Sequence, residues 1–200
     1  MKKSLLLSLF CVLLSILTSC NGKEDLANDL VGTWASAPSQ LTTDDESAIA
    51  VTRIFHLQKD EDKCGGAVNF EAIVNVTSAL TADRGFLQAT TFSASGTVRA
   101  SGTWEATDDD EIKVYYLPES VTTVFEPQTV LLPNIASESD DSVAVQYKAI
   151  VAQNVAQKIK NIFMNRAAKV LEMDDIEMAN DKQSFTFETH DNRYVIRRQS

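Results

Sequence analysis

Two histidines (His56, His190), three cysteines (Cys11, Cys20, Cys64) and 28 carboxylates are the side chains here that could do covalent or metal chemistry. Nucleophilic catalysis needs a nucleophile within hydrogen-bond reach of a base, and a zinc site needs three or four suitable ligands. Neither histidine stands in a nucleophile or metal motif. His56 falls on the opposite face of an alternating stretch from Phe55 and Leu57, where solvent is its default, and His190 falls in the turn Thr189-His190-Asp191-Asn192. Calcium comes closer. Asp60, Asp62, Gly65 and Glu71 occupy places one, three, six and twelve of an EF-hand loop, but place five is Cys64, a poor ligand for a hard cation. Residues 59–66 therefore read as a charged hairpin turn in which Gly65-Gly66 supplies positive φ angles. Cys64 beside them is a lone thiol open to oxidation or crosslinking, with no base motif nearby. Asn75-Val76-Thr77 matches a glycosylation sequon, but within a strand. We expect no enzyme, no metal and no cofactor.

Cys20 has a different context. Lys2 and Lys3 precede residues 5–17, apolar except for Ser8 and Ser15, and small residues follow. That is the pattern of a secretory signal. The run is too short for a spanning helix, which needs about 20 apolar residues. Its end, Leu17-Thr18-Ser19-Cys20, resembles the lipobox of bacterial lipoproteins. The resemblance implies a diacylglyceryl group on the Cys20 thiol, cleavage before Cys20, and acylation of the new amino group. Two or more acyl chains give stable anchoring, so the expected partner is a membrane, reached through an N-terminal lipid anchor. Lys23-Glu24-Asp25 resembles the export tags of some surface lipoproteins, and Asn21 is not the aspartate that resembles an inner-membrane retention signal. Outer membrane, with cell surface ahead of the periplasmic face, is the expected location. The expected organisation is 1–19 signal peptide, 20–29 lipidated tether and 30–200 one domain.

Removing residues 1–19 leaves 181, enough for one substantial core, and takes the net charge from −10 to −12 with the loss of Lys2 and Lys3. Such acidity gives no support for a nucleic-acid partner. Cys11 leaves with the leader and Cys20 carries lipid, so Cys64 has no partner for an intramolecular disulfide.

The elements that must carry any site are mostly strands. Ile49, Val51, Arg53, Phe55 and Leu57 recur with period two, as do Val68, Phe70, Ala72, Val74 and Val76, and then Phe86, Gln88, Thr90, Phe92 and Ala94. Residues 98–106 and 112–117 read as two further strands about the turn Thr107-Asp108-Asp109-Asp110. Residues 118–142 carry Pro118, Pro127 and Pro133 in apolar text, which suits an edge strand, a loop or a lid. Residues 143–172 show helical spacing through Tyr147, Val151, Val155, Ile159, Phe163, Val170 and Leu171. Its basic face carries Lys148, Lys158, Lys160 and Arg166, which suits solvent or the chain's own carboxylates better than a membrane surface. Three strands close the chain at 176–179, 184–188 and 193–199.

Gly32-Thr33-Trp34 opens the first strand and resembles the Gly-x-Trp signature of the lipocalins and wider calycins. A second copy, Gly102-Thr103-Trp104, lies mid-meander and is not part of a longer repeat. The resemblance implies a mainly β fold: an antiparallel lipocalin-like barrel or strongly curved meander, with one long amphipathic helix packed outside. It also implies that Trp34 plugs one barrel end beneath a basic residue of the last strand. Arg197 and Arg198 both qualify, and since neighbours point to opposite faces only one can reach it. A helix ahead of three strands, and the proline-punctuated insertion, depart from the family plan and put eight-stranded closure in question. Phe55, Phe70, Phe86, Phe92 and Tyr116 are the candidate lining of a ligand cup, although the same side chains could fill a barrel of this size. The expected function is non-enzymatic binding of a small hydrophobic molecule or glycan fragment. The alternative is a filled barrel that docks another envelope protein through the insertion or the helix.

Overall fold

The computed structural model describes residues 22–41, 47–80, 90–132, 141–189 and 192–199. Residues 22–30 form helix α1. The strands are β1 (Gly32–Ser36), β2 (Ser39–Gln40), β3 (Ala48–Leu57), β4 (Gly65–Leu80), β5 (Thr90–Ala106), β6 (Ile112–Tyr116), β7 (Thr122–Val124), β8 (Leu171–Met178), β9 (Ser184–Thr189) and β10 (Asn192–Arg198), with helix α2 (Asp141–Ala167) before β8. Eight of them close a ring in the order β1-β10-β9-β8-β6-β5-β4-β3, which returns to β1 through the pairs Gly32↔Leu57 to Ala35↔Ile54. All its pairings are antiparallel, while β2 adds to β3 and β7 to β5 outside the ring. The protein is a closed, eight-stranded antiparallel barrel.

Period-two alternation builds the lumen. Ile49, Val51, Phe55 and Leu57 of β3 are buried on one face, with Val68, Phe70, Ala72, Val74 and Val76 of β4 beside them. Trp104, Ile112, Val114, Phe185, Phe187 and Ile196 continue that layer around the ring.

The strands are unequal, and this shapes the mouth. β1 meets β3 only at residues 54–57, and β6 meets β5 only at 102–106. The rest of β3, the second half of β4 and the first half of β5 run past the ring as an overhang. Helix α2 packs outside the ring against β5, β7 and the two flanking 3-10 turns. Its buried Val151, Ala152, Val155 and Ile159 join the core cluster that holds Val74 and Val98 of the overhang.

Four expectations change. The helix ends at Ala167 and the chain enters β8 at Leu171, because Val114↔Leu171 and Ile112↔Met173 draw residues 171–173 into the sheet. Val170 and Leu171 only continued the helical count by coincidence of spacing. The two strands expected on either side of Gly96 are one, β5, and Gly96 is a socket: a Cβ there would lie 2.5 Å from both the Phe125 ring and the Val124 carbonyl. The insertion is no lid in its described part. β7 pairs with the β5 edge at Thr97↔Val124 to Arg99↔Thr122, Leu131 bridges Ser93, and Val121, Phe125 and Val130 are buried. Finally, the stretch expected to be a tether is helical from residue 22 and docked, with Leu26, Ala27 and Leu30 buried. Its polar residues hid three inward-facing apolar ones spaced for a single helical turn.

Candidate ligand cavity and the plugged end

Trp34 lies at the end covered by α1. It is fully buried, donates its Nε1–H to the Leu30 carbonyl (2.7 Å), and meets Phe185 edge-on at 4.8 Å between ring centroids. Between the two candidate arginines the register chooses Arg198, which pairs with Trp34, while Arg197 pairs with Ala35 and is exposed. The Arg198 guanidinium sits 4.2 Å from the Trp34 ring centre. It donates to three backbone carbonyls, Asp29 (3.0 Å), Val31 (3.0 Å) and Lys182 (3.1 Å). Gly32 makes room for it, with φ 137° and with Arg198 Nη1 only 2.6 Å from where a Cβ would stand. This end of the barrel is closed structure.

The other side of the core is open. A cavity of about 460 Å³ lies between the lumen layer and the C-terminal end of α2. It falls within the range of small-molecule sites, about 300–1,000 Å³. Phe55 and Phe70 project from β3 and β4, Tyr116 from the end of β6, and Phe163 from the last turns of α2. Phe70 is the hub: it meets Phe55 at 5.5 Å and Tyr116 at 5.6 Å, both edge-to-face, and Phe163 at 6.1 Å. Val121, just before β7, and Ala100 of β5 complete the apolar wall.

Polar groups are few and convergent. Arg53 lies in the lumen-facing register of β3, its Nη1–H donating to Ser39 Oγ at 2.6 Å and its guanidinium 5.7 Å from the Tyr194 ring. Burial is the largest influence on it and lowers its pKa from the ordinary arginine value. Tyr194 opposes that, Arg166 adds to it, and Tyr116 opposes it more weakly. Arginine stays charged regardless. The Tyr116 hydroxyl is buried and has no hydrogen-bond partner among the described residues. Burial pushes that phenol well above the usual tyrosine range, so it is a proton donor at neutral pH. Arg166 and Lys169 stand exposed at the rim.

Of the residues proposed to line a cup, Phe55, Phe70 and Tyr116 line this cavity. Phe92 does not: it is buried on the overhang, in the half of β5 that runs past the ring. Phe86, His190 and Cys20 lie outside the described residues. Arg53, Phe163, Arg166 and Lys169 are among the lining residues that the sequence did not nominate. Arg53 carried a signal, since it interrupts an otherwise apolar face between Val51 and Phe55.

A second depression of about 530 Å³ lies on the hairpin between β3 and β4, against Gly65, Gly66 and residues 103–106. Lys63 there is already paired with Asp60 at 2.8 Å, and Trp104 donates to the Gln58 carbonyl at 2.9 Å. Lys63 and Trp104 are thus satisfied internally, unlike the Tyr116 hydroxyl of the lumen cavity. Cys64 lies on its wall. His56 Nδ1 is 3.0 Å from Thr33 Oγ1, and Glu71 is held by Arg99 at 2.8 Å. Among the described residues no group of three or more His, Cys, Asp and Glu side chains is gathered to hold a metal. No helix among them is long and apolar enough to cross a membrane.

Comparison with protein-family models and with curated proteins finds no match. The closed barrel is consistent with a lipocalin-like fold and compatible with ligand binding.

Proposed function

We propose that this chain is a lipid-anchored protein of the outer membrane, displayed at the cell surface, that binds a small, largely apolar molecule in its barrel without transforming it. The observation that carries the reading is the cavity of about 460 Å³ walled by Phe55, Phe70, Tyr116 and Phe163. An aromatic wall with few polar groups favours a hydrophobic ligand over a glycan, which would need many more hydrogen-bond partners. The anchor rests on the signal and on Leu17-Thr18-Ser19-Cys20.

Native mass spectrometry of the protein taken from its own membrane tests the binding role. A co-purifying small molecule, bound more weakly in Phe70→Trp where the larger indole intrudes on the cavity, supports it. A stoichiometric protein partner with no small molecule would point to a docking module instead. The anchor is tested separately: Cys20→Ser moves the protein from the membrane to the soluble fraction, and retention in the membrane would refute lipidation at that residue.

A further inference from the structure

We propose that the ligand is an anionic amphiphile, its carboxylate paired with Arg53 and accepting a hydrogen bond from Tyr116, its apolar body lying among Phe55, Phe70 and Phe163. This rests on the cavity being a ligand site and specifies what fills it.

Arg53 supplies the first argument. A charge withdrawn from water is costly unless paired. Yet its guanidinium makes direct contact only with a serine hydroxyl and an aromatic face among the described residues, and none of their carboxylates is in ion-pair contact with it. Guanidinium presents a planar fork of donors that matches a carboxylate, and only one arm is engaged by Ser39. The Tyr116 hydroxyl is fully buried on the cavity wall without a partner, and buried polar groups are nearly always satisfied. A bound carboxylate offers an acceptor to the free arm of Arg53 and to the Tyr116 hydroxyl on the same wall, whereas a hydrocarbon offers none to either.

Charge around the mouth agrees. The chain carries 28 acidic against 18 basic residues, yet Arg53, Arg166 and Lys169 gather here. Glu172, the one carboxylate among the described residues of the wall, is engaged by Lys113 at 3.3 Å. The opening is therefore positive on an acidic body, a field that draws anions and repels cations. The aromatic cluster behind it sets the other half of the requirement, a hydrophobic body attached to that head.

Calorimetric titration of the purified chain with dodecanoate and with dodecanol, both below micelle formation, reads the head-group preference. Dodecanoate binds tighter by about tenfold or more. Arg53→Gln collapses that preference to within about twofold, Arg53→Lys recovers part of it, and Tyr116→Phe weakens dodecanoate about tenfold, as loss of a hydrogen bond to a charged group should. Equal affinity for the two probes, unmoved by Arg53→Gln, overturns the carboxylate assignment and leaves the cavity reading standing. Binding of neither probe overturns both.

Discussion

Replacing Tyr116 by phenylalanine removes one oxygen atom and, without ligand, makes the barrel more stable. The hydroxyl is buried with no partner among the described residues, and stranding such a group costs about 1–3 kcal/mol. The ring itself is kept, so the edge-to-face contact with Phe70 at 5.6 Å survives and no new void opens. Because the cavity is open to solvent at its rim, the low end applies, a gain of about 1 kcal/mol. In a domain of this size that raises Tm by roughly 2–4 °C. Thermal unfolding followed by tryptophan fluorescence measures it, with Tyr115→Phe as control. Tyr115 points to the outer face and donates to Glu105 at 2.8 Å, so its loss shifts Tm little. Adding dodecanoate should reverse the ranking, since only the parent donates a hydrogen bond to the carboxylate. A Tm for Tyr116→Phe below that of the parent without ligand would show that the hydroxyl is already engaged, and the reasoning fails.

Gly96→Ala drives a methyl group to 2.5 Å from Phe125 and Val124, so β7 must lift from β5. The expected loss is about 1–3 kcal/mol by urea denaturation, with new protease cleavage at residues 122–132, and an unchanged urea midpoint would contradict the socket. Arg198→Ala removes the stack on Trp34 and three bonds to backbone carbonyls, lowering stability by about 2–4 kcal/mol. Arg197→Ala, on the outer face, changes it by less than about 0.5 kcal/mol, and equal losses would refute the assignment of the plug. Burial first, then Glu111, Glu172 and Asp175, raise the Asp174 pKa, with Lys113 opposing. A carboxyl raised in the folded state holds its proton more tightly there than when unfolded, so its ionisation subtracts from stability as pH climbs through the raised value. Asp174→Asn therefore raises Tm at neutral pH, the gain fading below about pH 4, and a Tm difference independent of pH would contradict this.

The strands were legible wherever one face was buried and the other wet. The alternation at residues 49–57 and 68–76 reappears as the paired registers Ile49↔Val76 and Leu57↔Val68. Closure was not legible, because it depends on β1 finding both β3 and β10, contacts that leave no local pattern. The end of α2 was misplaced because β8 begins with residues whose spacing also continues a helix. Helix α1 was missed because a nine-residue segment rich in charge has no intrinsic helical stability and is held by its docking. Half of the cavity could be read from residues: Phe55, Phe70 and Tyr116 lie on the inward faces of their strands. The other half comes from α2, whose Phe163 meets Phe70 only after the overhang has brought the helix across the mouth. Arg53 was visible as an exception to an apolar face, and its meaning depended on seeing that no carboxylate among the described residues answers it.

Arg198 joins the two extremes of the fold, donating to the Val31 carbonyl across 167 positions of sequence. β1 has nothing to pair with on that side until β10 exists. The ring can therefore close only once β10 has been made, and contacts this distant in sequence make for slow folding. A nascent chain built this way cannot lock its barrel before β10 emerges. It also makes the end of β10 decisive: losing the residues that contain Arg198 would unlatch the first helix, the plug and the seam together.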